Sequence, residues 1–419
     1  MSTKSGNYTT PLILIGILFF TFGYITWTNG ALIPILKVVC NLQTDVQAFF
    51  VTFAFYIAYT FLAIPSSAIL RKTGFKGGMV LGLFVGALGS LIFIPAAQSR
   101  TYGLFLTGLF VQATGLTILQ TAVNPYVSIL GPIESAARRI SIMGLFNKGA
   151  GIIAPLVLGA VVLRKNENVE EHLKSLTDVV TRNGYLDQLA GRLIAPYVIL
   201  ALVLSAVAVL IWKSNLPSLD AEEEDEISIA SGKTSVFQYP NLVLGIAAIF
   251  FYVGAEVIAG DAIGLYGRNL GIDLAKSTTF TAYTLTGMLI GYLFSIFAIP
   301  KYISQEKSLT ISAVLGLLLT AGAFLTSGMT SVYFMASLGI ANAPMWPAIF
   351  PMGIKGLGKF TKTGAALLIM GIAGGAVMSI IFAAMMKAGH PQQAFWIMAL
   401  CYVYILFYAL RGHKIGLKK

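Results

Sequence analysis

The chain has 419 residues, of which 57% are hydrophobic and only 11% charged, proportions that exclude a soluble globular domain. Its net charge of +11 could suit nucleic acid, but the distribution of that charge along the chain, described below, excludes such a partner. Cys40 and Cys401 form no disulfide framework, and His172, His390 and His413 show no metal-ligand spacing, so neither a cofactor nor a metal is expected.

A helix needs about 20 mostly apolar residues to cross about 30 Å of hydrocarbon. Stretches near 11–36, 47–70, 78–97, 101–129, 140–163, 193–213, 240–267, 278–300, 308–326, 331–353, 363–387 and 392–410 meet that requirement and predict twelve spans. The first ten residues are polar and carry no cleavable signal, so span one is expected to be retained. In span one, Thr26, Asn29 and Ile33 fall on one helical stripe. Spans two and three are joined by Arg71-Lys72-Thr73-Gly74-Phe75-Lys76-Gly77, which reads as a tight glycine turn with basic groups at the membrane surface. Span four places Thr117, Gln120 and Asn124 on one face with Ala113, and span five does the same for Gly144, Asn147, Lys148 and Gly151. After span five, Val169 to Val180 has apolar residues at helical spacing and predicts a segment lying along the membrane surface. The polar stretch from Lys213 to Gln238, with its acidic run Glu222 to Glu226, reads as a solvated linker. Span seven holds Glu256 and Asp261, the only acids well inside a span. On a regular helix, five residues turn them about 140° apart. Span ten aligns Gly339, Asn342 and Trp346.

With the N-terminus inside, the larger share of Lys and Arg falls on the inner side, as the positive-inside rule requires. The inner clusters are Arg71, Lys72 and Lys76, then Arg138 and Arg139, then Lys355, Lys359 and Lys362, then the tail from Arg411. An even number of spans returns the C-terminus to the cytoplasm. The two halves also resemble each other: Phe19-Phe20-Thr21-Phe22-Gly23 of span one parallels Phe250-Phe251-Tyr252-Val253-Gly254 of span seven. At that offset Asn29 meets Gly260 and Gly30 meets Asp261, and in spans four and ten Pro125 meets Pro347. The expectation is an all-α membrane protein, with twelve transmembrane helices in two pseudo-symmetric six-helix bundles. Residues 1–213 form the first bundle, 214–237 a cytoplasmic linker and 238–419 the second. Parallel six-helix repeats with a substrate site at their interface are the major facilitator architecture.

Polar side chains inside such spans are costly and usually functional. Amides can both donate to and accept from sugar hydroxyls, and an aromatic ring can stack on the apolar face of a pyranose. Lys148 is the only cation well inside the membrane, and Glu256 or Asp261 across the interface between halves is its natural counter-ion.

These residues lie in strings that resemble the fucose–galactose–glucose:proton symporter family of the major facilitator superfamily. The most specific are Trp27-Thr28-Asn29-Gly30-Ala31-Leu32-Ile33-Pro34, Leu119-Gln120-Thr121-Ala122-Val123-Asn124-Pro125-Tyr126-Val127 and Phe146-Asn147. Phe251 to Val257 and Trp346 to Gly358 extend the likeness over essentially the whole chain. The resemblance implies secondary sugar uptake. In the fucose branch an aspartate follows the span-one asparagine and serves proton coupling, whereas Gly30 stands here; Gln120 replaces a glutamate and Gly144 a glutamine. Asp261, at the span-seven position equivalent to Gly30, is the candidate for a relocated coupling acid. The string Glu256-Val257-Ile258-Ala259-Gly260-Asp261 also resembles N-acetylglucosamine permeases.

The expected activity is uptake of a hexose or N-acetylhexosamine by proton symport with alternating access, in a bacterial inner membrane, by a monomer embedded in the lipid bilayer. Asn29, Gln120, Asn124, Asn147, Asn342 and Trp346 are expected to bind substrate, and Asp261, Glu256 and Lys148 to couple it to protons. A sodium-coupled or uniport sugar carrier, an acidic-sugar transporter and a multidrug exporter are the alternatives. No nucleophile–base arrangement suggests an enzyme, and neither terminus is long enough for the output domain of a sensor.

Overall fold

Backbone N–H and C=O groups in hydrocarbon need partners within the protein, which a helix supplies within one segment, and helices are the elements of the described residues. The computed structural model describes residues 9–130, 136–163, 169–216, 234–299, 301–386 and 390–416; most of the linker, with its acidic run, lies outside them. Among the described residues, ten helices are long and apolar enough to cross a membrane. One of them, Asp45–Ser99, has 55 residues and is broken by Gly74 at φ 68°, ψ 176°, a left-handed conformation that suits glycine. Its two arms are spans two and three, so the basic turn contracts to a single non-helical residue. Lys76 at this turn donates to the Ser214 carbonyl at the end of span six, 2.6 Å away.

Span one is Thr9–Val39, span four Tyr102–Ile129, span five Ala136–Val162 and span six Ile194–Lys213. Span seven runs from Pro240 to Val257, widens into a π turn at Ile258–Ala262 and ends as Ile263–Asn269. Spans eight, nine and twelve are Phe280–Ala298, Gln305–Leu325 and Phe395–Leu410. Span ten is interrupted: Gly328–Asn342 is followed by Met345–Ile354, because Pro344 has no N–H to continue the ladder. Span eleven is Thr361–Met370 and Gly374–Met385 about a short 3-10 turn. Counting both arms of the long helix and the interrupted pair gives twelve passes.

Packing divides the passes into two groups. Span one lies on span five, and spans two and three lie on spans four and six. In the second group span eight lies on ten, span nine on ten and twelve, and span eleven on seven. The groups meet where span five packs on eight, span two on eleven, and span one on the π turn of seven. Lys37, in the last turn of span one, pairs with Asp45, and Asn269 donates to the other Asp45 oxygen at 2.9 Å, tying span seven to the start of span two. The segment expected to form one surface helix is two helices, Val169–Ser175 and Val179–Gly191. Asp178 separates them by capping the second, accepting from Thr181 N–H at 2.8 Å. These two bonds from the Thr181 N–H and hydroxyl hold the Asp178 carboxyl below the usual aspartate range.

Candidate functional site

Trp27 is where the two groups of helices converge. A Cβ on Gly151 of span five would stand 2.6 Å from the indole, and one on Gly260 of span seven 2.3 Å. Only glycine leaves the ring its space. The indole N–H donates to Asn147 Oδ1 at 3.1 Å, and the Asn147 amide nitrogen reaches the Phe19 carbonyl at 3.4 Å. The Lys148 ammonium sits 4.1 Å from the indole centroid, within cation–π range, and 3.1 Å from Glu256 Oε1. Both partners of this ion pair are buried, with side chains 7% and 10% exposed. One connected network therefore joins spans one, five and seven.

These groups border a cavity of about 100 Å³. Both halves line it. Spans four and five contribute Gln120, Asn124, Asn147 and Lys148, and spans one and two contribute Thr26, Trp27, Tyr56 and Tyr59. From the second half come Tyr252, Glu256, Tyr292 and Trp346. Gln120 Nε2 donates to the Tyr59 hydroxyl at 2.8 Å. Tyr292 reaches the wall because residue 144 is glycine: a Cβ there would lie 2.7 Å from its ring. Trp346 stacks on Phe350 at 5.6 Å between centroids, and the Tyr252 ring lies 6.4 Å away. Lys148 and Glu256 are the charged residues of the lining, and they neutralise each other.

Of the expected substrate residues, Gln120, Asn124, Asn147 and Trp346 line this cavity, and Asn29 and Asn342 do not. Asn342 is fully buried and accepts from the Tyr402 hydroxyl at 2.8 Å. Its expected shared face with Trp346 is lost at the Ala343–Pro344 interruption. Asn29 of span one is buried, and its amide nitrogen has no hydrogen-bond partner among the described residues. Of the expected coupling residues, Lys148 and Glu256 form the pair just described, while Asp261 lies off the cavity inside the π turn. It is wholly buried, and neither carboxyl oxygen has a hydrogen-bond partner among the described residues. The regular-helix angle between the two acids does not apply, because an i→i+5 turn brings residues five apart closer to alignment than an α turn does. Position 30 has no room for a side chain: a Cβ would stand 2.1 Å from Thr281 Oγ1 and 3.1 Å from the Gly260 carbonyl. Among the described residues no cluster of His, Cys, Asp and Glu could hold a metal.

Sequence reasoning missed Trp27, Tyr56, Tyr59 and Tyr292 as site residues. A signal for span one was present, since Phe19, Phe22 and Thr26 are spaced i, i+3 and i+7 and all line the cavity. The three tyrosines carried no such signal, because aromatic residues in apolar helices also serve packing alone.

Residues 13–382 match the Major Facilitator Superfamily. A glucose/galactose transporter of Brucella abortus is 36% identical over 417 residues, covering 99% of this chain and 96% of the relative. The L-fucose-proton symporter of Escherichia coli K12 is 29% identical, covering 97% of this chain and 94% of the relative. Among solved structures, the Major Facilitator Superfamily transporter FucP in its outward conformation superposes with a TM-score of 0.75 at 28% identity, covering 96% of this chain and 98% of that one.

Proposed function

The chain belongs to the Major Facilitator Superfamily, within its fucose–galactose–glucose:proton symporter family, and from that premise we propose that it takes up a neutral hexose by proton symport. It is a multi-pass sugar transporter and not an enzyme. The observation that carries the substrate class is the cavity wall. Amides of spans four and five face rings of spans two, seven, eight and ten, and the two charges in the lining cancel. Gln120, Asn124 and Asn147 would bond the hydroxyls, and Trp346 or Trp27 would cover an apolar sugar face. An acidic sugar is disfavoured, because it would have to displace Glu256 from Lys148. A multidrug exporter is disfavoured by the amide wall. A glucose or galactose type of sugar is favoured by the relative at 36% identity, with N-acetylglucosamine as the larger variant to test.

Asp261 is the coupling acid in this reading. A carboxylate without a partner in so dry a place costs several kcal/mol, so the closed site accommodates it with a proton bound. As the halves rock about the cavity, water reaching Asp261 from the other side would let that proton leave. Lys148 and Glu256, on opposite halves, would part and re-form with each cycle. Asn29 and Asn342 act in the same reading as residues that join the substrate when the halves change position. The reading takes residues 1–213 and 238–419 as the two moving bundles and 214–237 as their cytoplasmic linker. It also takes the chain as a monomer in a bacterial inner membrane with both termini in the cytoplasm.

The test is uptake of labelled galactose, glucose and N-acetylglucosamine into proteoliposomes under an inward proton gradient without sodium, under an inward sodium gradient alone, and under neither. Accumulation of a hexose above equilibration only with the proton gradient is the expected result. Accumulation that requires sodium, or none above equilibration under either gradient, would overturn the coupling.

A further inference from the structure

Threonine in a membrane helix ordinarily returns its hydroxyl to a carbonyl one turn earlier in its own helix. Thr21, Thr26, Thr114, Thr117, Thr121 and Thr286 all do so here, at 2.7 to 2.9 Å. Thr281 and Thr284 of span eight depart from that pattern. Their hydroxyls cross to span seven, Thr281 to the Gly260 carbonyl at 2.7 Å and Thr284 to the Ala259 carbonyl at 2.6 Å. Both side chains are wholly buried. Both acceptors lie inside the π turn that contains Asp261. A widened turn turns carbonyls away from the helical ladder, and in hydrocarbon only another protein group can supply their donors.

We infer that Thr281 and Thr284 are positioning residues for coupling: their two hydroxyls hold span seven in its π turn and so set where Asp261 stands. The inference rests on the reading of Asp261 as the coupling acid. Thr281 has a third neighbour, since its oxygen occupies the space that a side chain on Gly30 would need. The same hydroxyl therefore touches the backbone of span one, and any movement of span one against span seven is felt at the clamp. A Cβ on Gly264, on the outer side of the turn, would stand 3.4 Å from the Gly30 carbonyl, which continues this contact. The groups that act electrostatically on Asp261 are Glu256 of its own span and Lys148 of span five, with Tyr56 of span two also within its field.

The experiment uses the full chain in lipid nanodiscs. Infrared difference spectra over a pH titration give the carboxyl band of Asp261, assigned by its loss in D261N. Replacing both threonines by valine keeps their shape and removes the two donors. In T281V/T284V the band's midpoint is expected to move by about one pH unit or more, a tenfold change in proton affinity. Galactose binding by calorimetry is expected to stay within about twofold of the unaltered chain, as is usual when the changed groups do not touch the ligand. T281S/T284S, which keeps the hydroxyls, should restore the midpoint; the single valine variants give the same reading if the double variant does not fold. An unmoved midpoint in the valine variants overturns the inference. No D261N-sensitive band in the unaltered chain removes Asp261 from coupling and the inference with it. Failure of the substrate reading shows separately, as absent galactose binding in the unaltered chain.

Discussion

Spans one and seven share the pattern Phe-Phe-x-x-Gly and then diverge. Span one continues as an unbroken helix from Thr9 to Val39, even through Pro34. Span seven widens at Ile258–Ala262, and the turn holds an acid where span one has Gly30. The two also meet face to face: Trp27 lies against Gly260, and Gly30 lies against the Gly260 carbonyl and Thr281. Where span one has glycine, span seven carries an acid. The two similar spans thus carry unlike polar groups. The first half keeps its amides and the lysine, the second half holds both buried acids, and close contact at glycine decides which half has room for a charge.

The strongest way to break this comparison is to remove the acid. D261N is expected to abolish accumulation above equilibration while exchange of sugar across the membrane persists, measured as counterflow in proteoliposomes. If accumulation survives, the acid in span seven is not the equivalent of anything lost from span one. The ion pair between the halves comes next. K148A leaves Glu256 buried without its partner, a change that typically costs about 3–5 kcal/mol. Unfolding of the detergent-solubilised chain should show it, and K148M/E256L should recover most of the loss. A smaller effect is expected from G260A, whose methyl would meet the Trp27 ring. Overpacking of this kind costs about 1–3 kcal/mol, and a shift in tryptophan fluorescence would report the displaced indole.

The twelve passes were legible because length and hydropathy are local properties. Span seven, expected near 240–267, is observed as Pro240 to Asn269. The basic turn between spans two and three was legible through Gly74, which takes the left-handed conformation only glycine adopts cheaply. Helical stripes located the Gln120, Asn124, Asn147 and Lys148 wall, since those spans are regular where these residues lie. The same reasoning fails where the helix departs from 100° per residue. The π turn at Ile258–Ala262 voids the regular-wheel angle between Glu256 and Asp261, and Pro344 interrupts the helix between Asn342 and Trp346. Nor can a single helix reveal which of its faces meets another span. Asn29 shares a stripe with Thr26, yet Thr26 borders the cavity and Asn29 is buried away from it.

The smallest effects separate cavity amides from buried ones and so sharpen the contrast between the halves. Gln120, in the first half, borders the cavity and donates to Tyr59. Asn342, in the second, is enclosed and serves Tyr402. A neutral hydrogen bond contributes about 0.5–1.5 kcal/mol net, so Q120A should weaken galactose binding roughly two- to tenfold with little change in stability. N342A should do the reverse, because it strands the Tyr402 hydroxyl at a cost of about 1–3 kcal/mol while touching no cavity wall. Calorimetry and unfolding on the two variants give four numbers, and the pattern matters more than any one of them. Equal losses of affinity would mean that Asn342 faces the sugar in another position of the halves, as an alternating carrier requires of some residue hidden in any single conformation.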